Sequence, residues 1–173
     1  MTATISAPAP DEAAEYFHKY INQVGLGDVR QQLETQAREV MSLLRGISDD
    51  KSRHRYAPEK WSIRQVVSHV NDTERVFTYR ALWFARGFGG ALPSFDQDVA
   101  IAGAAADDRP WGDHIEEFGA IRAASVALFR GLQPDAWDRR GIASNNPVTV
   151  RALAYIVAGH VTHHVKILHE RYL

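Results

Sequence analysis

The sequence predicts an all-α protein: a four-helix bundle running up-down-down-up, with a long crossover between its second and third main helices and an extra N-terminal helix. Three observations predict it. Four long stretches carry apolar residues at helical spacing. No stretch reads as a convincing strand, and there is no internal repeat. The longest link, residues 88–109, shows little period. Short links favour antiparallel neighbours, and the long one lets the second and third main helices run parallel.

Residues 1–10 are small and proline-punctuated and read as a flexible tail, leaving 11–173 as a single domain. An N-terminal helix is predicted over 11–24, with Ala13, Phe17, Tyr20, Ile21 and Val24 at helical spacing. Gly25 and Gly27 break it. The first main helix runs over about 28–45, with Val29, Leu33, Ala37, Val40, Met41 and Leu44 on one face. Gly46 follows it, as glycine often does at a helix end.

The second main helix has a clear start. Ser62 is followed three residues later by Gln65, a capping-box pattern, and the inward stripe is Ile63, Val66, Val70, Thr73, Phe77 and Phe84. Gly87 closes it. Residues 88–109 are rich in glycine and proline and show little period. The third main helix runs over about 111–130 on Trp111, Ile115, Phe118, Ser125, Leu128 and Phe129. Pro134 to Trp137 forms a short turn. The last helix runs from near Thr149 almost to Leu173, with Leu153, Ile156, Val157, His160, His164, Ile167 and Leu168 inward.

Composition narrows the function. The 173 residues carry 20 basic and 21 acidic side chains, a formal charge of -1, and no dense basic patch. That balance argues against nucleic acid as a partner. There is no cysteine, so a disulfide framework, a thiolate metal site and a cysteine nucleophile are excluded. No apolar run approaches the ~18 residues of a membrane span, and the first ten residues lack the basic and apolar regions of a signal peptide. The expectation is a soluble cytoplasmic protein.

The chemistry points to histidine. Eight are present. His160 and His164 lie one turn apart, roughly 20° either side of the stripe centre at Leu153 on a wheel of ~100° per residue. His69 sits at the edge of its own stripe, seven residues past Ser62 and so ~10 Å into its helix. His164 is ~13 Å from the other helix's end. If those two helices are antiparallel, the three imidazoles share a level and can grip one divalent ion. The same pattern also fits core histidines satisfied by hydrogen bonds.

The stretch YAPEKWSIRQVVSHVNDTERVFTYR, residues 56–80, resembles the DinB/YfiT-like superfamily. So do Gly159-His160-Val161-Thr162-His163-His164, the Leu92 to Asp96 segment, and the helix carrying Glu117 and Arg122. The resemblance covers nearly all of 28–173. It implies the same up-down-down-up bundle, commonly dimeric, with a three-histidine site for nickel, zinc or iron at positions matching His69, His160 and His164. It implies metal-dependent transfer of bacillithiol, mycothiol or glutathione to a small electrophile, or thiol-dependent isomerisation of maleylpyruvate. Many members are described loosely as metal-dependent hydrolases. Glu59 departs from the family, where glycine often precedes Lys-Trp-Ser, but it lies outside the ligand set.

Three neutral imidazoles leave a divalent ion its charge and an open position. Such a position can bind a thiol or water and lower its pKa. With no cysteine in the chain, a thiolate must come from a low-molecular-weight co-substrate. The leading expectation is therefore a thiol S-transferase, with hydrolysis by metal-bound hydroxide as the alternative and a non-catalytic stabilising or sensing metal as a third reading.

Other residues carry expectations of their own. Arg122 is placed to bind a carboxylate on a thiol cofactor, while Arg80 is expected to pair internally with Asp or Glu. Asp72 either orients His69 or is solvated, and Asp96 caps a helix or belongs to a lid. Glu74 forms an ion pair. His163 faces ~80° off the stripe and adjoins the site without being a ligand. His18, His54, His114 and His169 are non-ligands, and Trp61 and Trp111 anchor helix starts.

Overall fold

A computed structural model describes residues 4–173, and among them seven α-helices and one two-stranded hairpin. The bundle consists of α2 (Val29–Arg45), α4 (Ile63–Ala85), α6 (Trp111–Arg130) and α7 (Val150–Ile167). Short helices α1 (Glu15–Ile21), α3 (Asp49–Ser52) and α5 (Gln97–Ala104) and strands β1 (Arg140–Ala143) and β2 (Asn146–Thr149) fill the links. The starts are chemically marked. The hydroxyl of Ser62 accepts from Gln65 N–H while the Gln65 side chain accepts from Ser62 N–H, closing the capping box. Asp28 and Thr149 cap α2 and α7 by accepting from Arg30 N–H and Ala152 N–H.

Cross-helix bonds give the directions. Trp111 at the start of α6 donates to Leu44 O and Ile47 O at the end of α2, so these two are antiparallel. Asn71 donates to His114 O, and Glu74 meets Arg122 further along both helices, so α4 and α6 are parallel. His69, early in α4, meets His160, late in α7. The bundle is up-down-down-up, as the long crossover predicts.

The apolar core is in two parts. One is built on Leu33, Phe77, Phe84, Phe129, Leu153 and Ile156. The other is built on Leu44, Val66, Val70, Phe118, Val161 and Leu168. On each main helix the residues between the two sets are polar: Gln36 on α2, His69, Thr73 and Glu74 on α4, Arg122 and Ser125 on α6, and His160 on α7. A single polar layer thus crosses the middle of the bundle.

Three expectations need correction. A hairpin stands where no strand was expected, over Arg140–Thr149. Ser144 and Asn145 turn it with φ of 51° and 62°, the mirror-image turn that suits the twist of paired strands. The pair Ser-Asn is a weak version of the Asn-Gly signal. Gly141 lets the hairpin rest on α4, because a Cβ there would lie 1.9 Å from the Phe84 ring.

Second, the expected tail is held over residues 4–10; residues 1–3 lie outside the described residues. Ile5 N–H donates to Asp28, and the Tyr155 hydroxyl donates to Ile5 O. Third, the N-terminal helix is shorter than predicted. Glu12 accepts from Thr149 and Arg151 and sits in a short 3-10 turn, so the α-helix begins only at Glu15. Within 88–109, the segment expected to lack period, Asp96 caps α5 by accepting from Asp98 and Val99 N–H. No helix among the described residues is long and apolar enough to cross a membrane.

Candidate metal centre

The second main helix and the last one bring His69, His160 and His164 to one point. His69 Nε2 and His164 Nε2 each lie 3.1 Å from His160 Nε2. All three donor atoms fall within 4.8 Å of one another. His69 and His160 are buried and His164 is half-buried. No other group of three such side chains could hold an ion among the described residues.

The donor set fits a divalent ion. A tetrahedral ion with bonds of ~2.0–2.1 Å sets nitrogen donors ~3.3 Å apart, close to the two separations of 3.1 Å about His160. Burial pushes the imidazole of His69 down to about 4 and that of His164 down to about 3, with the charges of neighbouring histidines adding to the effect on His164. His160 is lowered well below its ordinary value by burial and by the other two rings. All three are therefore neutral near pH 7 and have no proton to lose before they ligate. Neutral Nε2 lone pairs this close need a cation or a proton between them.

Local bonds orient the rings. The Thr73 hydroxyl donates to His69 O at 2.6 Å and lies 3.3 Å from His69 Nδ1. With its proton committed to the carbonyl, its oxygen can accept from Nδ1–H, which leaves the Nε2 lone pair for the cluster. Of the two roles expected for Asp72, orienting His69 or standing solvated, it does not take the first. It is 3.4 Å from Arg75 at the bundle surface, and burial raises its pKa. Thr73 is one turn from His69, so the i, i+4 spacing was the available signal.

Trp61 packs its ring 5.1 Å from that of His69, a more direct role than anchoring a helix start. Tyr20 of α1 meets the His160 ring edge-on at 5.2 Å. Gly159 permits this approach, since a Cβ there would lie 2.0 Å from Tyr20 O. Burial and the neighbouring Tyr16 raise the Tyr20 pKa, so its hydroxyl keeps its proton.

A cleft of about 400 Å³ opens over His69 and His160. Phe17 and Tyr20 of α1, Phe77 of α4, Phe95 of the crossover and Asn146 of the hairpin line it. No Asp or Glu is among its described lining residues. The sequence reading foresaw the N-terminal helix but not its place over the histidines, which is a long-range contact, and it missed the hairpin wall altogether.

The two inward arginines are placed otherwise than expected. Arg122 does not face the cleft. Its Nε and Nη2 donate to Glu74 at 2.8 Å each, and Nη1 donates to Gln36 at 2.6 Å. Ser125 also donates to Glu74. An internal carboxylate therefore takes the guanidinium that was expected to hold a cofactor, and Glu74 forms the ion pair expected of it. Arg80 instead lines the cleft, with no carboxylate partner among the described residues. His163 lies outside the triad, with its ring 5.3 Å from Tyr20. His114 Nε2–H donates to Ala106 O, and His18 lies against Pro10 O.

Residues 32–168 match the sequence pattern of the DinB superfamily. The chain belongs to that superfamily. Its fold is shared by YfiT from Bacillus subtilis, described as a probable metal-dependent hydrolase with an unusual four-helix bundle topology. The TM-score is 0.73 at 17% identity, over 94% of this chain and 89% of that one. A mycothiol-dependent maleylpyruvate isomerase matches with a TM-score of 0.64 at 12% identity. The match covers 95% of this DinB-like chain but only 62% of the isomerase. No curated protein matches by sequence.

Proposed function

We propose that this DinB-like chain is a metal-dependent thiol S-transferase, joining a low-molecular-weight thiol such as bacillithiol, mycothiol or glutathione to a small electrophile. The observation that carries the reading is the set of three neutral imidazoles, two of which, His69 and His160, line an open cleft, in a chain without cysteine. His69, His160 and His164 would hold nickel, zinc or iron. A divalent ion there supplies a Lewis-acid position that lowers the pKa of a bound thiol near neutral pH.

The chain's own residues do the rest. Thr73 holds the His69 tautomer. Tyr20 offers a protonated hydroxyl beside His160. Phe17 and Phe77 give the cleft beside the histidines an apolar lining. The thiol-dependent chemistry named for the isomerase supports this direction. Hydrolysis, named for YfiT, calls on a carboxylate or similar base beside the ion, and the described cleft offers none. A purely structural ion would be enclosed rather than open to a cleft. The homodimer is proposed on family grounds alone.

The test is conjugation. Protein loaded in turn with nickel, zinc and ferrous iron is mixed with each thiol and a small aryl halide or epoxide, and loss of free thiol is followed. The expected result is metal-dependent consumption with at least one thiol. No consumption with any of the three overturns the reading.

A further inference from the structure

Among the described residues three arginines are buried: Arg64, Arg80 and Arg122. Two have carboxylate partners, Asp49 for Arg64 and Glu74 for Arg122. Arg80 is 5% exposed and has none among the described residues. Its Nη2 donates to Pro93 O at 2.8 Å and to Ser144 Oγ at 3.0 Å, both neutral acceptors. Its Nε and Nη1 make no hydrogen bond, yet they are absent from the fully enclosed unsatisfied atoms, which are those of Asn71, His114 and His164. Three N–H groups of a permanent cation are therefore without a protein acceptor among the described residues, on a side chain that lines the cleft. A buried guanidinium without an anion is expensive to maintain.

The position is also telling. Arg80 lies eleven residues past His69 on α4, three turns along and within ~20° of the same face. Thr73, Val76 and Phe77 lie between them, and all three line the cleft. The Phe77 ring is 6.0 Å from the His160 ring and 6.0 Å from the Arg80 guanidinium. A ligand touching both ends is on the order of 10 Å long, the span of roughly three extended residues.

We propose that Arg80 is the anion anchor of the cleft, receiving the carboxylate of a small, partly apolar organic acid whose other end reaches the histidine cluster. Phe77, Val76 and Phe95 flank its apolar body, and Ser144 and Pro93 hold the guanidinium in place from the hairpin and the crossover. The inference deepens the transferase reading, since it rests on this cleft being the substrate site. It names a carboxylate-bearing substrate or thiol as the class accepted.

The test uses metal-free full-length protein, so that no ion can bind the probe. Benzoate and its uncharged counterpart benzamide are titrated at pH 7.5 by calorimetry. Benzoate is expected to bind at least about tenfold more tightly, as charge-assisted bonds to a desolvated guanidinium do. Arg80→Met should erase the preference and Arg80→Lys should restore part of it. Equal affinity of wild type for the two probes overturns the proposal whatever the variants do. Preference retained in a folded Arg80→Met protein overturns it too, and reduces Arg80 to a clamp between crossover and hairpin. None of these outcomes requires turnover, so the anchor can fail while thiol conjugation survives, and the reverse.

Discussion

The polar layer across the bundle has two sides. On the side of α2 and α6, Glu74 and Arg122 close on each other with Ser125 and Gln36, and these groups have partners. On the side of α1 and α7, three imidazoles face one another, His164 Nδ1 is buried without a partner, and Arg80 reaches an open cleft. Both sides use buried polar groups from α4. The difference is whether the fold supplies the partner. Where it does, the layer fixes how the helices register. Where it does not, the layer is left to a ligand, and that is where function is to be sought.

The sharpest way to break this comparison is His160→Ala. It removes the central donor and is expected to abolish stoichiometric metal, which elemental analysis of the purified protein would reveal. Full occupancy in the variant would sink the ligand assignment. Glu74→Ala probes the closed side. It strands a buried guanidinium and should cost roughly 3–5 kcal/mol of stability. Urea denaturation measures this, and metal stoichiometry in the folded variant should be unchanged.

Acid should distinguish the two sides as well. The folded-state pKa values of His69 and His164 lie below the ordinary 6.5, near 4 and 3, so the unfolded chain takes up protons first. The metal-free protein should hold this contribution above about pH 6.5 and lose it progressively as pH falls toward 4 and below. A melting temperature flat between pH 7 and 4.5 would contradict the buried neutral triad.

Smaller effects sharpen the picture. Thr73→Val removes the acceptor that orients His69, and metal affinity should fall about 10–100-fold, read by competition with a chelating dye. Gly159→Ala forces a Cβ against Tyr20 O and should displace α1, at about 1–3 kcal/mol. Faster proteolysis near residues 15–21, with the metal retained, would show that α1 is a wall of the cleft and not a support of the ligands.

The legible parts share a physical basis. The four main helices were readable because each buries a broad apolar stripe at a 3.6-residue period, and the capping box at Ser62 marks a start by local hydrogen bonding alone. The triad was readable because two of its members lie one turn apart and the third shares their depth once the helices are antiparallel. The hairpin was not readable. Its strands are four residues each, contain Pro147, and owe their place to packing on Phe84 more than to their own pattern.

Arg80 and Arg122 mark the boundary most clearly. The sequence by itself determined that both lie on inward faces of their helices, because period alone decides that. It could not decide which would meet a carboxylate, because partner choice depends on side chains far apart in the chain: Glu74 lies 48 residues from Arg122, and Ser144 lies 64 from Arg80. Only the tertiary structure brought Glu74 to one arginine and left the other facing the cleft.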